Sequence, residues 1–242
     1  MAVAYAGRRL SVPVLVVVPE TATETAKERL RLEQAQVIVH GPSWHEANAL
    51  ALSMLEGSDA YIHPFDDPLL WAGHASMIDE VALAGLKPEA VVLSVGGGGL
   101  LAGVVQGLQR NGLNRVPVLA VETEGADSLH QSLAAGRLVD LERITSVAST
   151  LGAKRVCDRA FECAQEHPIR SIVVSDRLAL SACERFLDDH RLLVEPACGA
   201  SLALAYDRSS ELAGFETVLF IVCGGATATI DQIRQWSAKY SS

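Results

Sequence analysis

Ten consecutive residues carry the clearest chemical signal in this chain: Ser94-Val95-Gly96-Gly97-Gly98-Gly99-Leu100-Leu101-Ala102-Gly103. Four glycines lie between an apolar β-type run at 90–95 and an apolar helical run at 100–108. Glycine lets the backbone turn sharply and come close to a ligand with no Cβ in the way. The helix that follows aims its unpaired N–H groups and the positive end of its dipole at the loop. Such an arrangement cradles an anion, most often a phosphate. A strand–glycine–helix turn can also serve only a tight crossover. Four glycines in a row argue against that, since each costs about 0.5–1 kcal/mol inside a regular element. The chain is therefore expected to hold a phosphorylated small molecule.

Other chemistry is thinly represented. Cys157, Cys163, Cys183, Cys198 and Cys223 show no C-x-x-C spacing, and the seven histidines show no H-E-x-x-H spacing, so no zinc is expected. An odd, scattered cysteine set with no basic-then-apolar leader reads as reduced thiols in the cytoplasm. Twenty basic against 29 acidic residues give a net charge of -9, which argues against a nucleic-acid partner. No apolar run approaches the ~20 residues of a membrane span. At 242 residues and 49% hydrophobic, the chain can build one large domain or two small ones.

The elements that must position the glycines alternate along the chain. Strand-like runs fall at 12–18, 36–39, 60–62, 90–95, 116–121, 171–174 and 217–222. Helical patterns fall at 21–33, 44–55, 69–83, 100–109, 176–189, 198–207 and 229–239. Thr21 and Thr23 before Glu24, and Ser175-Asp176 before Leu178, are helix starts. Such alternation predicts an α/β fold with parallel sheet covered on both faces. Ligands then bind at the carboxyl ends of strands, where residues 96–99 and Cys223-Gly224-Gly225 both fall. His63-Pro64-Phe65-Asp66-Asp67-Pro68 breaks the pattern and reads as a crossover between subdomains. Residues 1–10 read as helix with no cap before them: a frayed end, or the continuation of something upstream.

Two readings of the glycine run compete. In the first, Gly97-Gly98-Gly99-Leu100-Leu101-Ala102 fits G-x-G-x-x-A, and Glu122, 23 residues beyond Gly99, is a candidate ribose acceptor of a nicotinamide dinucleotide. Gly96 and the absence of a hydride-transfer constellation are then unexplained. In the second, the run grips the single phosphate of pyridoxal 5'-phosphate, and neighbouring loops hold the ring.

Four stretches carry a resemblance that favours the second. They are Tyr61-Ile62-His63-Pro64-Phe65-Asp66-Asp67-Pro68-Leu69, Leu93 through Leu101, Val194-Glu195-Pro196-Ala197-Cys198-Gly199-Ala200, and Ile221-Val222-Cys223-Gly224-Gly225. In these stretches and their order the chain resembles the L-serine dehydratase/L-threonine deaminase family, pyridoxal-phosphate enzymes of the class that resembles the tryptophan synthase β-subunit.

The resemblance implies two parallel-sheet α/β subdomains: an incomplete small one at 1–67 and a larger, phosphate-binding one at 68–242. It implies cofactor binding by Gly96, Gly97, Gly98 and Gly99, with Cys223 beside the pyridine nitrogen. It implies a monovalent-cation site, K⁺ being the candidate, at Gly96, Glu122, Ala126, Ser128, Leu151 and Ala153. Glu195 reads as structural support near the site. The implied reaction is ammonia-lyase chemistry on a small amino acid, giving pyruvate or 2-oxobutanoate plus ammonia, and dimers are common in the family. The family's Schiff-base lysine, in a Ser-x-Lys context, and its Ser-Ser-x-Gly-Asn loop have no counterpart here, and Lys27, Lys87, Lys154 and Lys239 all stand in other contexts. The catalytic lysine is therefore expected upstream of Met1, and the chain as written is expected to be inactive, either as a truncated dehydratase or as a non-catalytic remnant that binds a ligand or a protein.

Overall fold

A computed structural model describes residues 1–240 of the chain. They form two compact units, Met1–Ile62 and His63–Ser242.

The smaller unit contains α1 (Ala2–Leu10), β1 (Leu15–Val18), α2 (Glu24–Leu32), β2 (Gln36–Val39) and α3 (Trp44–Ser53). The two strands are parallel, with Leu15 opposite Gln36. Ala4, Leu30 and Ala35 form a small core against the strand valines. Thr23 caps α2 by accepting the Ala26 N–H at 3.2 Å, and Ser43 with Glu46 forms a capping box on α3. Residues 60–62, expected as a strand, are not one. Three residues can form a strand only against a partner, and β1 and β2 pair with each other.

The larger unit runs α4 (Pro68–Leu83), β3 (Ala90–Ser94), α5 (Gly99–Arg110), β4 (Val118–Thr123), α6 (Ser128–Ala135), α7 (Asp158–Glu166), β5 (Ile169–Val174), α8 (Asp176–His190), α9 (Pro196–Tyr206), β6 (Val218–Phe220) and α10 (Ile230–Ala238), with short 3₁₀ turns at Ser149–Leu151 and Ser210–Leu212. The sheet is parallel throughout, in the order β5-β4-β3-β6. Helices α6 and α7 were absent from the sequence-based element list.

Alternation along the strands divides the core. Ala90, Val92, Leu119 and Val121 face α8, α9 and α10. Val91, Leu93, Val118 and Ala120 face α4, α5 and α7. Every residue of β3 and β4 is buried, so both central strands need near-continuous apolar sequence. Gly103 and Gly107 let α5 approach α4 closely: a Cβ on Gly103 would lie 2.6 Å from the Trp71 carbonyl oxygen, and one on Gly107 2.7 Å from that of Ala75. That contact fixes the axis of α5, whose N-terminus ends the glycine loop.

His167, 5% exposed, joins α7 to β5. Its Nε2 lies 2.8 Å from the Val116 carbonyl oxygen, so Nε2 carries the proton of the neutral ring and donates it. Burial holds this imidazole below its ordinary pKa. The unfolded chain binds that proton near pH 6.5, whereas the folded chain resists it. Stability from this group is therefore present above that pH and is lost as pH falls toward the lowered folded value. His167→Gln, which keeps a donor for Val116, should lose less stability than the native chain between neutral and mildly acidic pH, as read from urea-unfolding curves.

Candidate functional site

The strand order creates the site. From β3 the chain moves through β4 to β5, then returns to place β6 on the other side of β3. At that reversal the loops after β3 and β6 diverge, leaving a crevice at the carboxyl ends of the strands. A cavity of about 210 Å³ lies there, lined by Ser94 and Leu100 from one loop and by Cys223, Gly224 and Gly225 from the other. Thr150, Leu151, Glu195, Ala197 and Cys198 complete its wall.

The glycine loop has two sides with different uses. On the Cα–H side the protein itself is packed too close for a Cβ. A Cβ on Gly97 would lie 2.2 Å from the Phe65 ring, and one on Gly99 2.3 Å from the Phe65 carbonyl oxygen. At Gly98, where φ is +94°, it would meet the Ala160 Cβ at 2.4 Å; at Gly96 it would press on the Leu151 backbone at 3.0 Å. Phe65 is held for this contact by Trp71, whose indole N–H donates to its carbonyl at 2.8 Å. The loop carbonyls are committed too: Gly97 accepts the Cys157 N–H at 2.9 Å and Gly98 the Ala102 N–H at 2.9 Å. Among the described residues, no protein oxygen accepts the N–H groups of residues 96–101. These amides, ending at the first turn of α5, are left unpaired by the protein, which is the backbone arrangement an anion cradle requires.

Cys223 stands across the crevice, exposed, whereas the other four cysteines are buried. Although part of the residue reaches solvent, the protein around its sulfur desolvates the thiolate, and Cys198 and Glu195 add to the effect. Together they push the thiol up to about 11. At neutral pH Cys223 is thus a protonated thiol, a weak donor facing the cavity. Glu195 stands at the N-cap position of α9, but its carboxylate turns away from the helix and accepts the Thr150 and Thr227 hydroxyls. Neither threonine was singled out by sequence, because a loop hydroxyl acquires meaning only when folding brings it to a partner.

The six candidate cation ligands fall in three segments: Gly96, residues 122–128 and residues 151–153. Glu122 is fully buried at the end of β4, and its two oxygens accept the Leu129 and His130 N–H groups of α6 at 2.9 and 2.8 Å. Burial pushes its carboxyl up to about 8, against the opposing pull of those two bonds. A carboxylate so enclosed is not placed to take a ribose hydroxyl, which removes the acid that the dinucleotide reading needed. Ala126 closes the turn to α6, its N–H donating to the Thr123 carbonyl at 2.9 Å. Ser128 opens α6, and among the described residues its buried hydroxyl has no hydrogen-bond partner. Leu151 presses on Gly96, and the Ala153 N–H donates to the Leu151 carbonyl at 2.7 Å. The pairing of Ser94 with Val121 puts Gly96 and Glu122 at one sheet edge.

No lysine lines the cavity. Lys27 lies buried in the smaller unit, paired with Glu24 at 2.8 Å. Lys154 is exposed and donates to the Glu142 carbonyl at 2.9 Å; Lys87 and Lys239 are exposed as well.

Comparison with known proteins decides the family. The family described as pyridoxal-phosphate dependent enzyme matches residues 1–224. This chain belongs to that family. Within it, the chain is 48% identical to the human L-serine dehydratase/L-threonine deaminase over 97% of its own length and 75% of the relative's. It is 45% identical to the L-serine dehydratase of Dictyostelium discoideum, over 96% of this chain and 70% of the other. The solved fungal L-serine ammonia-lyase from Rhizomucor miehei superposes with a TM-score of 0.91 at 33% identity, covering 99% of this chain and 78% of that one. The parallel α/β architecture is that of the pyridoxal-phosphate family, as expected from the four motif stretches.

The two-sided glycine loop makes a specific prediction. Gly98→Val places a branched side chain at positive φ against Ala160, so it should lower stability by at least about 1–3 kcal/mol and abolish phosphate binding. Phe65→Ala vacates the packed side and leaves the amides in place, so inorganic phosphate should still bind in a calorimetric titration. Undiminished phosphate binding in a folded Gly98→Val would show that the amides are not the cradle.

Proposed function

We propose that this chain supplies the phosphate- and ring-holding part of an L-serine/L-threonine ammonia-lyase, the reaction that converts these amino acids to pyruvate or 2-oxobutanoate with release of ammonia. The observation that carries the reading is that the glycine loop with its unpaired amides and the loop of the protonated Cys223 thiol come to one topological switch point, beside a cavity of about 210 Å³ lined by Ser94, Leu100 and Cys223. The amides of Gly96, Gly97, Gly98 and Gly99 hold the phosphate of pyridoxal 5'-phosphate. Cys223 donates its S–H to the pyridine nitrogen, which suits a neutral ring rather than a pyridinium. When bound, the cofactor supplies an electron sink for charge developing at an amino-acid α-carbon.

The same residues accommodate a monovalent cation, with K⁺ the candidate. Among the described residues the buried Ser128 hydroxyl lacks a partner, which a hard cation would supply, and the buried Glu122 carboxyl stands on the same segment. Both Glu122 oxygens accept N–H groups, which suits the ionised form that burial alone disfavours. Gly96, Ala126, Leu151 and Ala153 offer backbone carbonyls nearby. If the cation binds only the folded chain, at ten times its Kd it adds about 1.4 kcal/mol. Potassium chloride should therefore raise the melting temperature above that in tetramethylammonium chloride. Ser128→Ala should lose this increment while remaining as stable as the native chain in tetramethylammonium, since removing an unpaired buried hydroxyl costs little. An undiminished potassium response in Ser128→Ala would remove Ser128 from the site.

Binding and turnover separate in this chain. An α-proton needs a positioned base, and none of the four lysines reaches the cavity wall. The expected outcome is saturable binding of pyridoxal 5'-phosphate, no binding of NAD, and no pyruvate from L-serine. Steady pyruvate formation from residues 1–242, abolished by borohydride, would show that one of Lys27, Lys87, Lys154 and Lys239 serves as the base after all.

A further inference from the structure

Glu195 connects three loops around the cavity. Its Oε1 accepts the Thr150 hydroxyl at 2.6 Å. Its Oε2 accepts the Thr227 hydroxyl at 2.5 Å and the Thr227 N–H at 3.3 Å. Its own N–H donates to the Gly224 carbonyl at 2.9 Å. Gly225, at φ +126°, lies against its side chain so closely that a Cβ there would be 2.2 Å from the Glu195 Cγ. Thr150 precedes Leu151, whose backbone presses on Gly96, and Cys223 opens the loop that Gly224, Gly225 and Thr227 continue. A half-buried carboxylate is stable when its lone pairs are matched, and here each oxygen is matched by a different loop.

We propose that Glu195 is a clamp: a positioning residue that ties the loop carrying Cys223 to the loop carrying Thr150 and Leu151, and so holds the thiol at the cavity wall. As far as the ligand is concerned, this rests on the pyridoxal-phosphate reading above; the clamp itself is a property of the protein alone. It divides the site into two ends. Residues 97–99 hold their amides through Phe65, Ala160 and α5, without Glu195; Gly96 alone meets the clamped loop, at Leu151. The ring end depends on Glu195, because the loop after β6 spans two glycines at positive φ and would drift without it. Charge acts in the same direction. The groups facing Cys223 are Cys198 and Glu195, and the carboxylate opposes ionisation of the thiol, which keeps it a donor.

The test uses the full chain, Glu195→Ala, Glu195→Gln, and the pair Thr150→Val with Thr227→Val. Iodoacetamide labelling followed by mass spectrometry reads Cys223, the exposed cysteine. Titrations with pyridoxal 5'-phosphate and with inorganic phosphate read the two ends of the site. In Glu195→Ala, Cys223 should label about tenfold faster near neutral pH. Pyridoxal 5'-phosphate should bind about tenfold more weakly, and inorganic phosphate should bind unchanged. Glu195→Gln keeps a bridging group and loses the charge, so it should raise labelling while largely keeping affinity. Adding the two threonine substitutions to Glu195→Ala should change little further, because the three side chains act as one unit. Native labelling and native affinity in Glu195→Ala would overturn the clamp, as would full additivity with the threonine pair. If the native chain binds no pyridoxal 5'-phosphate, the cofactor reading fails and the labelling rates alone still decide the clamp. If Glu195→Ala does not fold, Glu195→Gln and the threonine pair decide it by the same labelling rates.

Discussion

Along residues 96–99 the backbone is pressed from one side and open on the other, and the rest of the larger unit is arranged around that asymmetry. Phe65, Ala160 and Leu151 occupy the space that side chains at these four positions would need. Only glycine admits this packing, and the packing holds the loop rigid. Rigidity matters because an amide cradle binds an anion well only if its N–H groups already point together and need not be ordered on binding. The contacts that appear merely to fill space are thus the ones that preorganise the site.

Sheet order extends this local constraint to the whole unit. With β3 central and β6 returning to its far side, the crevice falls between the loop after β3 and the loop that carries Cys223. Helices α4 and α5 set the angle of the cradle through Gly103 and Gly107, while α9 brings Glu195 and Cys198 to the opposite wall. The groups presented to a ligand are amides, a protonated thiol and small side chains. The two carboxyls near the site are spent on protein donors: Glu122 on the first turn of α6, Glu195 on two threonines. An anion-binding site can tolerate neighbouring acids when each is matched in this way.

The separation of holding from reacting also follows from geometry. The glycine loop and the loop that carries Cys223 both lie within the larger unit, anchored by a sheet whose two central strands are fully buried. Each lysine of this chain is paired within the protein or faces solvent, so under the proposed reading cofactor binding and substrate turnover are open to separate measurement.

What the sequence by itself determined was whatever depends on local pattern. Buried parallel strands need unbroken apolar runs, so β3 and β4 were legible. A strand–glycine–helix junction has its own composition, so the turn from β3 into α5 was legible too, and four motif stretches in order identified the family. Tertiary structure decided what depends on partners distant in the chain. Helix α6 went unseen because its N-terminus is capped by Glu122 from β4 rather than by a neighbouring side chain, and α7 because it buries only Ala160 and Cys163. Residues 60–62 have strand-like side chains but no strand beside them. The glycines read as room for a ligand, and the fold spends that room on Phe65 and Ala160 while leaving the amides free. Thr150 and Thr227 carried no signal at all, because a hydroxyl gains its role from the carboxylate it meets, and Glu195 is 45 residues from the first and 32 from the second.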